Sequence, residues 1–189
     1  MIGFPQQELA TPTLAQYGGG SGTLGDPYLI STAKHLRDLT GTANDWDKHF
    51  KLTADLNLTD KLTPIGGFTG TFYGNGHTIA KLKIQSTMDN YAGLFGIVGN
   101  ALDPNTIYNL GLINPDVTED WYVGALVGRL DNGALSGCYV DGGSVNGTLS
   151  IGALVGINYG TMSNCCASGT ASGTSDIGGF VGRHDSGII

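Results

Sequence analysis

Apolar residues in this chain recur in short bursts separated by glycine, not along helical stripes. The phrase Gly-Ala-Leu-Val-Gly stands at 124–128 and again at 152–156. Gly-Gly-Phe-Val-Gly follows at 178–182, and Ala-Gly-Leu-Phe-Gly precedes them at 92–96. With Tyr91, Val123, Ile151 and Ile177 as anchors, the copies lie 32, 28 and 26 residues apart. A period of that size marks a solenoid, propeller or array. No segment of the region carries the 3.6-residue apolar stripe of an amphipathic helix, so helical repeats are excluded.

A second phrase follows each first one: TIYNLGLIN at 106–114, ALSGCYVDG at 134–142 and TMSNCCASG at 161–169. Upstream, TIAKLKIQS at 78–86 fits the same frame. Aligned, Ile79, Ile107, Leu135 and Met162 precede a corner held by Lys81, Asn109, Gly137 and Asn164. Leu82, Leu110, Cys138 and Cys165 come next, then Ile84, Leu112, Val140 and Ala167. Ile107 and Leu110 are three apart and cannot share one face of a straight strand. A left-handed bend between them, which Asn and Gly tolerate, turns both inward. Strand, corner, strand, loop, strand, repeated, is one coil of a parallel β-helix, an all-β solenoid in which each coil pairs with its neighbours. Equivalent residues then stack about 4.8 Å apart. Leu94, Leu126, Leu154 and Phe180 form one inward ladder, and the small residues beside them let the walls approach. A β-sandwich also uses short strands and Gly-rich turns, but gives no reason for repetition in frame.

The entry differs. Residues 1–16 read as an N-terminal extension, 17–50 as a strand and short capping helix, and 51–189 as coils, the last incomplete. In DPYLISTAKHLRDLTG, Ser31 is the expected N-cap, Leu36 and Leu39 the apolar edge and Gly41 the stop. A helix over the first coil covers an otherwise open end, as solenoids require. The final GGFVGRHDSGII begins a repeat whose next strand would start at Ile188 and Ile189. This predicts a fragment of a longer array, or an end buried by a partner chain. An exposed edge there would drive self-association.

Composition narrows the function. Gly supplies 32 of 189 residues with no Gly-X-Y period, which excludes collagen. The net charge of −7 argues against binding nucleic acid or anionic membranes through bulk electrostatics. No apolar run reaches the roughly 18 residues of a membrane span, so membrane insertion is not expected. The first residues lack a basic stretch followed by an apolar one, so they are not a leader. Three cysteines make no disulfide framework and no zinc spacing. Cys138 and Cys165 fall at equivalent inward positions, read as stacked thiols or as a disulfide; Cys166 points outward.

Candidate chemistry is sparse. Asp116, Glu119 and Asp120 adjoin Trp121 and Tyr122, a mixture of carboxylates and rings suited to sugar hydroxyls and sugar faces. The same stretch also reads as a solvated loop inserted between repeats, which would account for the step of 32. Arg129 and Arg183 hold the same repeat position, each followed two residues on by Asp131 or Asp185. A surface Arg–Asp pair is one reading; a base for a polysaccharide lyase is the other. His77, in GNGHTI, reads as a structural histidine at a turn. Asp55, Asn57 and Asp60 could contribute to a Ca²⁺ site, but their alternation points them outward along a strand, and no cofactor is expected.

YGGGSGTLGDPYLISTAKHL, FKLTADLNLT and FTGTFYGNGHTIAKLKI resemble the entry region of bacterial GLUG-repeat proteins. Gly93-Leu94-Phe95-Gly96 is the motif itself, with variants at 125–128, 153–156 and 179–182. Tyr73 stands where relatives commonly place Asp, and Lys81 where they place Asn. Such repeats occur in adhesin-like surface chains and in the non-catalytic part of IgA-specific metallopeptidases. The resemblance implies a right-handed parallel β-helix in an extracellular or cell-surface setting, and it carries over no catalytic residue. The expected role is a non-catalytic scaffold or adhesion module, binding glycan or a host or surface protein. The alternatives are a polysaccharide lyase or glycoside hydrolase on the same fold, and a structural spacer.

Overall fold

The computed structural model describes residues 16–84, 90–99 and 106–189. Most of the expected N-terminal extension lies outside these residues. The chain winds into five stacked coils whose strands pair in parallel, the arrangement of a parallel β-helix. The third coil shows the plan. Its strands are Thr106–Tyr108, Gly111–Ile113, Asp116–Thr118, Trp121–Gly124 and Val127–Leu130. Each belongs to one of five sheets that run along the stack, here called the first to fifth walls. The fourth coil repeats it as Ala134–Ser136, Tyr139–Asp141, Ser144–Asn146, Leu149–Gly152 and Val155–Asn158. The sequence pattern gave three strands per coil; the backbone makes five, because the strands at each wall are only two to four residues long.

Most three-residue strands have one inward apolar residue between two outward ones, as in Thr106–Tyr108, Asp116–Thr118 and Ser144–Asn146. Phe72, Ile107, Leu135 and Met162 stack along the first wall. Leu56, Ile79, Leu112 and Val140 stack along the second, and Leu62, Ile84, Val117 and Val145 along the third. Ile79 therefore lies under Leu112, not under Ile107 as the alignment of TIAKLKIQS proposed. That copy is one wall out of frame. The reason is physical: each coil has two similar bends, and the same apolar–corner–apolar pattern fits either. One bend holds Asn109, Gly137 and Asn164, all with positive φ (53°, 62° and 52°). The next holds Lys81, Asn114 and Gly142 (58°, 48° and 68°). The left-handed corners are real, and Asn109 and Asn164 sit where expected.

The repeated glycine phrase is the bend between the fourth and fifth walls. Leu94, Leu126 and Leu154 are fully buried, and Phe180 on the last coil is partly buried. They stack through Leu126 N–H to Leu154 O (3.0 Å) and Leu154 N–H to Phe180 O (3.0 Å). The first copy is one residue shorter across the bend: Ala92 pairs with Val123, but Phe95 pairs with Val127. At this bend the fourth and fifth walls fold back until their backbones touch. A Cβ on Gly156 would lie 2.5 Å from Tyr122 C and 2.6 Å from both Gly128 O and Val123 N. One on Gly128 would lie 2.7 Å from Ala92 N and 2.8 Å from Tyr122 O. Glycine is required here for close approach, since no side chain fits between the two backbones.

The N-terminal end is closed as expected. Strand Tyr28–Ile30 pairs with His49–Leu52, and helix Ala33–Gly41 lays Leu36 and Leu39, both fully buried, on the first coil. Its N-cap is Thr32, not Ser31: the Thr32 side chain accepts from His35 N–H (3.2 Å). Ser31 instead donates its backbone N–H to His35 Nδ1 (3.3 Å). Below the helix, Tyr17, Tyr28, Phe50, Phe68, Phe72 and Phe95 form an aromatic cluster with centroid separations of 4.7–6.4 Å. At the other end, Ile188 pairs with Thr161 and leaves Ile177 48% exposed and Ile188 64% exposed.

Candidate functional site

The acidic stretch 116–120 is not an inserted loop. Asp116–Thr118 is a strand of the third wall, and Trp121–Gly124 follows across a tight corner. At the corner, Asp120 O accepts Thr148 N–H (2.7 Å) and Leu149 N–H (3.1 Å) from the coil above. The extra residues of the longest repeat fall elsewhere. The first wall resumes eight residues after Val98 but only four after Leu130, so the insertion lies between Val98 and Thr106, mostly outside the described residues.

The expected site residues therefore divide between two surfaces. Asp116 and Glu119 border a shallow groove with Lys61, Lys83 and Thr118 on the third wall. Lys61, Lys83 and Asp116 follow one another in register there. Trp121, 45% exposed, stands at the edge of the fourth wall.

Tyr122 turns away from that groove. Its φ of 50°, shared in kind by Ser150 (57°) and Asp176 (53°) on the next coils, makes a third left-handed column. The Tyr122 ring stacks on Tyr91 at 5.1 Å and 18°. Arg129, on the fifth wall, donates from Nε to Asp131 Oδ1 (2.6 Å) and from a terminal nitrogen to the Tyr91 hydroxyl (3.4 Å). Its guanidinium lies 5.8 Å from the Tyr91 ring centroid and 5.1 Å from that of Tyr159. Tyr122, Tyr91, Arg129 and Tyr159 thus form one outward column, an arginine held between two rings. Asp131, Asn132, Arg129 and Tyr159 line a shallow groove beside it. The column continues upward: Tyr159 donates its hydroxyl to Asp185 (2.9 Å), which also accepts from Arg183 Nε (2.7 Å). Ile157 sits between Arg129 and Arg183 in the same column and is covered by its neighbours.

The charges of this column are fixed. Burial disfavours the charged form of Arg129, but hydrogen bonds with Asp131 and Tyr91 outweigh it and hold the guanidinium above its ordinary pKa. Arg183 is raised as well, by Asp185. Asp185 is held below the usual carboxylate range by Arg183 and then Tyr159. An arginine held so firmly protonated is a poor proton acceptor, which removes the main reason to read Arg129 as a lyase base. The column offers binding chemistry: the hydroxyls of Tyr91, Tyr122 and Tyr159, the Asn132 amide, the paired carboxylates of Asp131 and Asp185, and aromatic edges.

Sequence reasoning found Arg129, its Asp131 partner and Tyr122, and missed Tyr91 and Tyr159. Tyr159 occupies the repeat slot after Asn158 that Asp131 and Asp185 hold on adjacent coils, so an in-frame alternation of Asp, Tyr and Asp was the available signal. The other polar expectations resolve into local contacts. Asp55 accepts Thr78 N–H (2.7 Å) and lies 3.3 Å from His77 Nδ1. Asp60 pairs with Arg37, and Asn57 stays exposed. Cys138 is buried and Cys165 half-buried, both as free thiols, while Cys166 is exposed.

Fold and surface together define the class: a glycine-cornered β-solenoid that displays side chains on columns outside its core. Residues 119–146 match the family model described as the GLUG motif. That span is one full turn, and its ends meet, Glu119 N–H donating to Asn146 O (3.1 Å). The chain is a parallel β-helix that carries the GLUG motif. It is 34% identical over 184 residues to halomucin of Haloquadratum walsbyi, covering 90% of this chain and 2% of that protein. It is 35% identical over 127 residues to a sequence of Evansella cellulosilytica described as a Gly-rich membrane protein, covering 60% of this chain and 14% of the relative. The chain thus spans a small part of both relatives. Among solved structures, a Bacteroides ovatus chain described as an immunoglobulin A1 protease has the same fold, with a TM-score of 0.65 at 20% identity, over 90% of this chain and 65% of that one. No helix among the described residues is long and apolar enough to cross a membrane.

Proposed function

We propose that this chain is a non-catalytic β-helical scaffold module of a surface or secreted protein, and that its fourth and fifth walls present a weak adhesion face for neutral glycan. The observation that carries this reading is the column Tyr122–Tyr91–Arg129–Tyr159, locked by stacking and by Asp131 on a rigid stack of coils. Its paired charges leave no free cation to favour an acidic sugar, while hydroxyls, an amide and a carboxylate at the Asp131–Asn132–Tyr159 groove match sugar hydroxyls. Each contact of this kind is weak, and repetition along a longer array multiplies it. The extracellular setting is supported by the company of relatives, one described as a membrane protein.

The test is a panel of neutral and acidic polysaccharides scored at once for binding and for newly released chain ends. Binding without cleavage, lost in Tyr159→Ala and Asn132→Ala with the fold retained by circular dichroism, is expected. Chain cleavage would overturn the reading in favour of an enzyme. The absence of both would leave a structural spacer.

A further inference from the structure

The structure assigns Cys138 and Cys165 as a cross-linking site: on contact with a small-molecule disulfide they form a bridge that ties the fourth coil to the fifth. The positions are directly stacked. Leu135 pairs with Met162 and Tyr139 with Cys166 in the same register, which sets Cys138 opposite Cys165. Cys166 N–H donates to Cys138 O (3.2 Å), closing the ladder at that point. Stacked residues on paired parallel strands have Cα atoms about 4.8 Å apart, inside the range that disulfides span. Each thiol now donates to a backbone carbonyl, Cys138 to Ile107 O or Ser136 O and Cys165 to Ser163 O (3.3 Å).

Their environments differ in the way that sequential exchange needs. Cys138 is fully buried, with Ile107 O (3.5 Å) and Ser136 O (3.6 Å) as acceptors for its thiol. The adjacent Cys165 thiol and burial push its pKa up. Cys165 is half-exposed, and the neighbouring Cys138 thiol lowers its pKa and favours its thiolate. Cys165 therefore reacts first. Its thiolate attacks one sulfur of the small disulfide, forming a mixed disulfide and releasing one thiolate. The Cys138 sulfur, after losing its proton, attacks the Cys165 sulfur and displaces the second thiolate. The two cysteines lose two electrons, the small disulfide gains them, and the two protons leave with its two thiols. Cys166 sits on the outer face and is the competitor, so Cys166→Ser isolates the pair.

The experiment treats the Cys166→Ser chain with excess oxidised glutathione, then counts thiols after denaturation and measures intact mass. We expect no free thiol, a loss of two hydrogens and a single Cys138–Cys165 cross-link between peptides separated by cleavage after Tyr159. The thermal midpoint should rise and return on reduction with dithiothreitol. Two free thiols after treatment overturn the assignment. So does a glutathione adduct that persists on Cys165 while Cys138 stays free. Cys165→Ser serves as the second variant: its Cys138 should resist oxidation in the folded chain, and ready glutathionylation there would contradict the order of attack.

Discussion

Gly156→Ala tests whether the repeated glycine phrase exists to let two walls touch. The added methyl would sit 2.5–2.6 Å from Tyr122 C, Gly128 O and Val123 N, well inside the ~3.0 Å below which something must shift. All three neighbours are backbone, Gly128 held by ladders on both sides and Tyr122 and Val123 by the ladder to the fourth coil and the bridge to Ala92, so none can swing away as a side chain would. Overpacking in a core costs about 1–3 kcal/mol, and a site walled by backbone belongs at or above the upper end. For a domain of this size about 3 kcal/mol lowers Tm by roughly 6–12 °C. Gly67→Ala is the matched control: Gly67 is exposed on the same fifth wall, and a Cβ there meets nothing within 4 Å. That change should stay within about 0.5 kcal/mol of the parent. The assay is thermal and urea unfolding of both variants by circular dichroism. If Gly156→Ala melts with the control, the close approach of the walls is not what the glycines serve.

Other outcomes follow from the same geometry. Leu126→Ala removes a fully buried side chain and should cost about 2–5 kcal/mol; Phe180→Ala, half-buried on the last coil, should cost clearly less in the same urea titration. Asn109→Ala removes the short polar side chain that lets asparagine tolerate a left-handed corner (φ 53°) and should cost about 1–2 kcal/mol, with Asn109→Gly close to neutral. Asp55 is held below the ordinary carboxylate pKa, chiefly by the Thr78 amide. Its contribution is present above the unfolded value of about 3.9 and fades as pH falls through the lower folded value, so Asp55→Asn should flatten the loss of Tm below pH 4. Ile177 and Ile188 leave an apolar edge on the terminal coil, and sedimentation velocity should show association that grows with concentration; a monomer at every concentration would refute it.

What the sequence made legible was what repeats. The ladder of Leu94, Leu126, Leu154 and Phe180, and the left-handed corner at Asn109, Gly137 and Asn164, recur in frame because each coil must solve the same steric problem. The number of walls was not legible. Three-residue strands such as Asp116–Thr118 carry one inward residue each, too few for an alternation to declare itself against a loop. That is why 116–120 read as an insertion and why TIAKLKIQS aligned with the wrong bend. The outer column was half legible. Arg129 with Asp131 is local in sequence, but Tyr91 reaches Arg129 across 38 positions, and a pairing at that range appears only once the register is known.

That split explains why the GLUG motif says little about activity. Gly124, Leu126 and Gly128 and their equivalents on the second and fourth coils are buried, and the glycines face backbone of an adjoining coil. They specify how one turn sits on the next and present nothing to a ligand. The outward columns carry no such constraint. Lys61, Lys83, Asp116, Ser144 and Thr170 succeed one another on the third wall, and Ile97, Arg129, Ile157 and Arg183 on the fifth, with no common chemistry. A fold of this kind can change what it binds by substituting outer residues coil by coil while its core and corners stay fixed. Recognition by GLUG repeats is therefore to be sought in outward side chains that depart from the repeat, and in this chain the densest departure is the stacked arginine and tyrosines of the fourth and fifth walls.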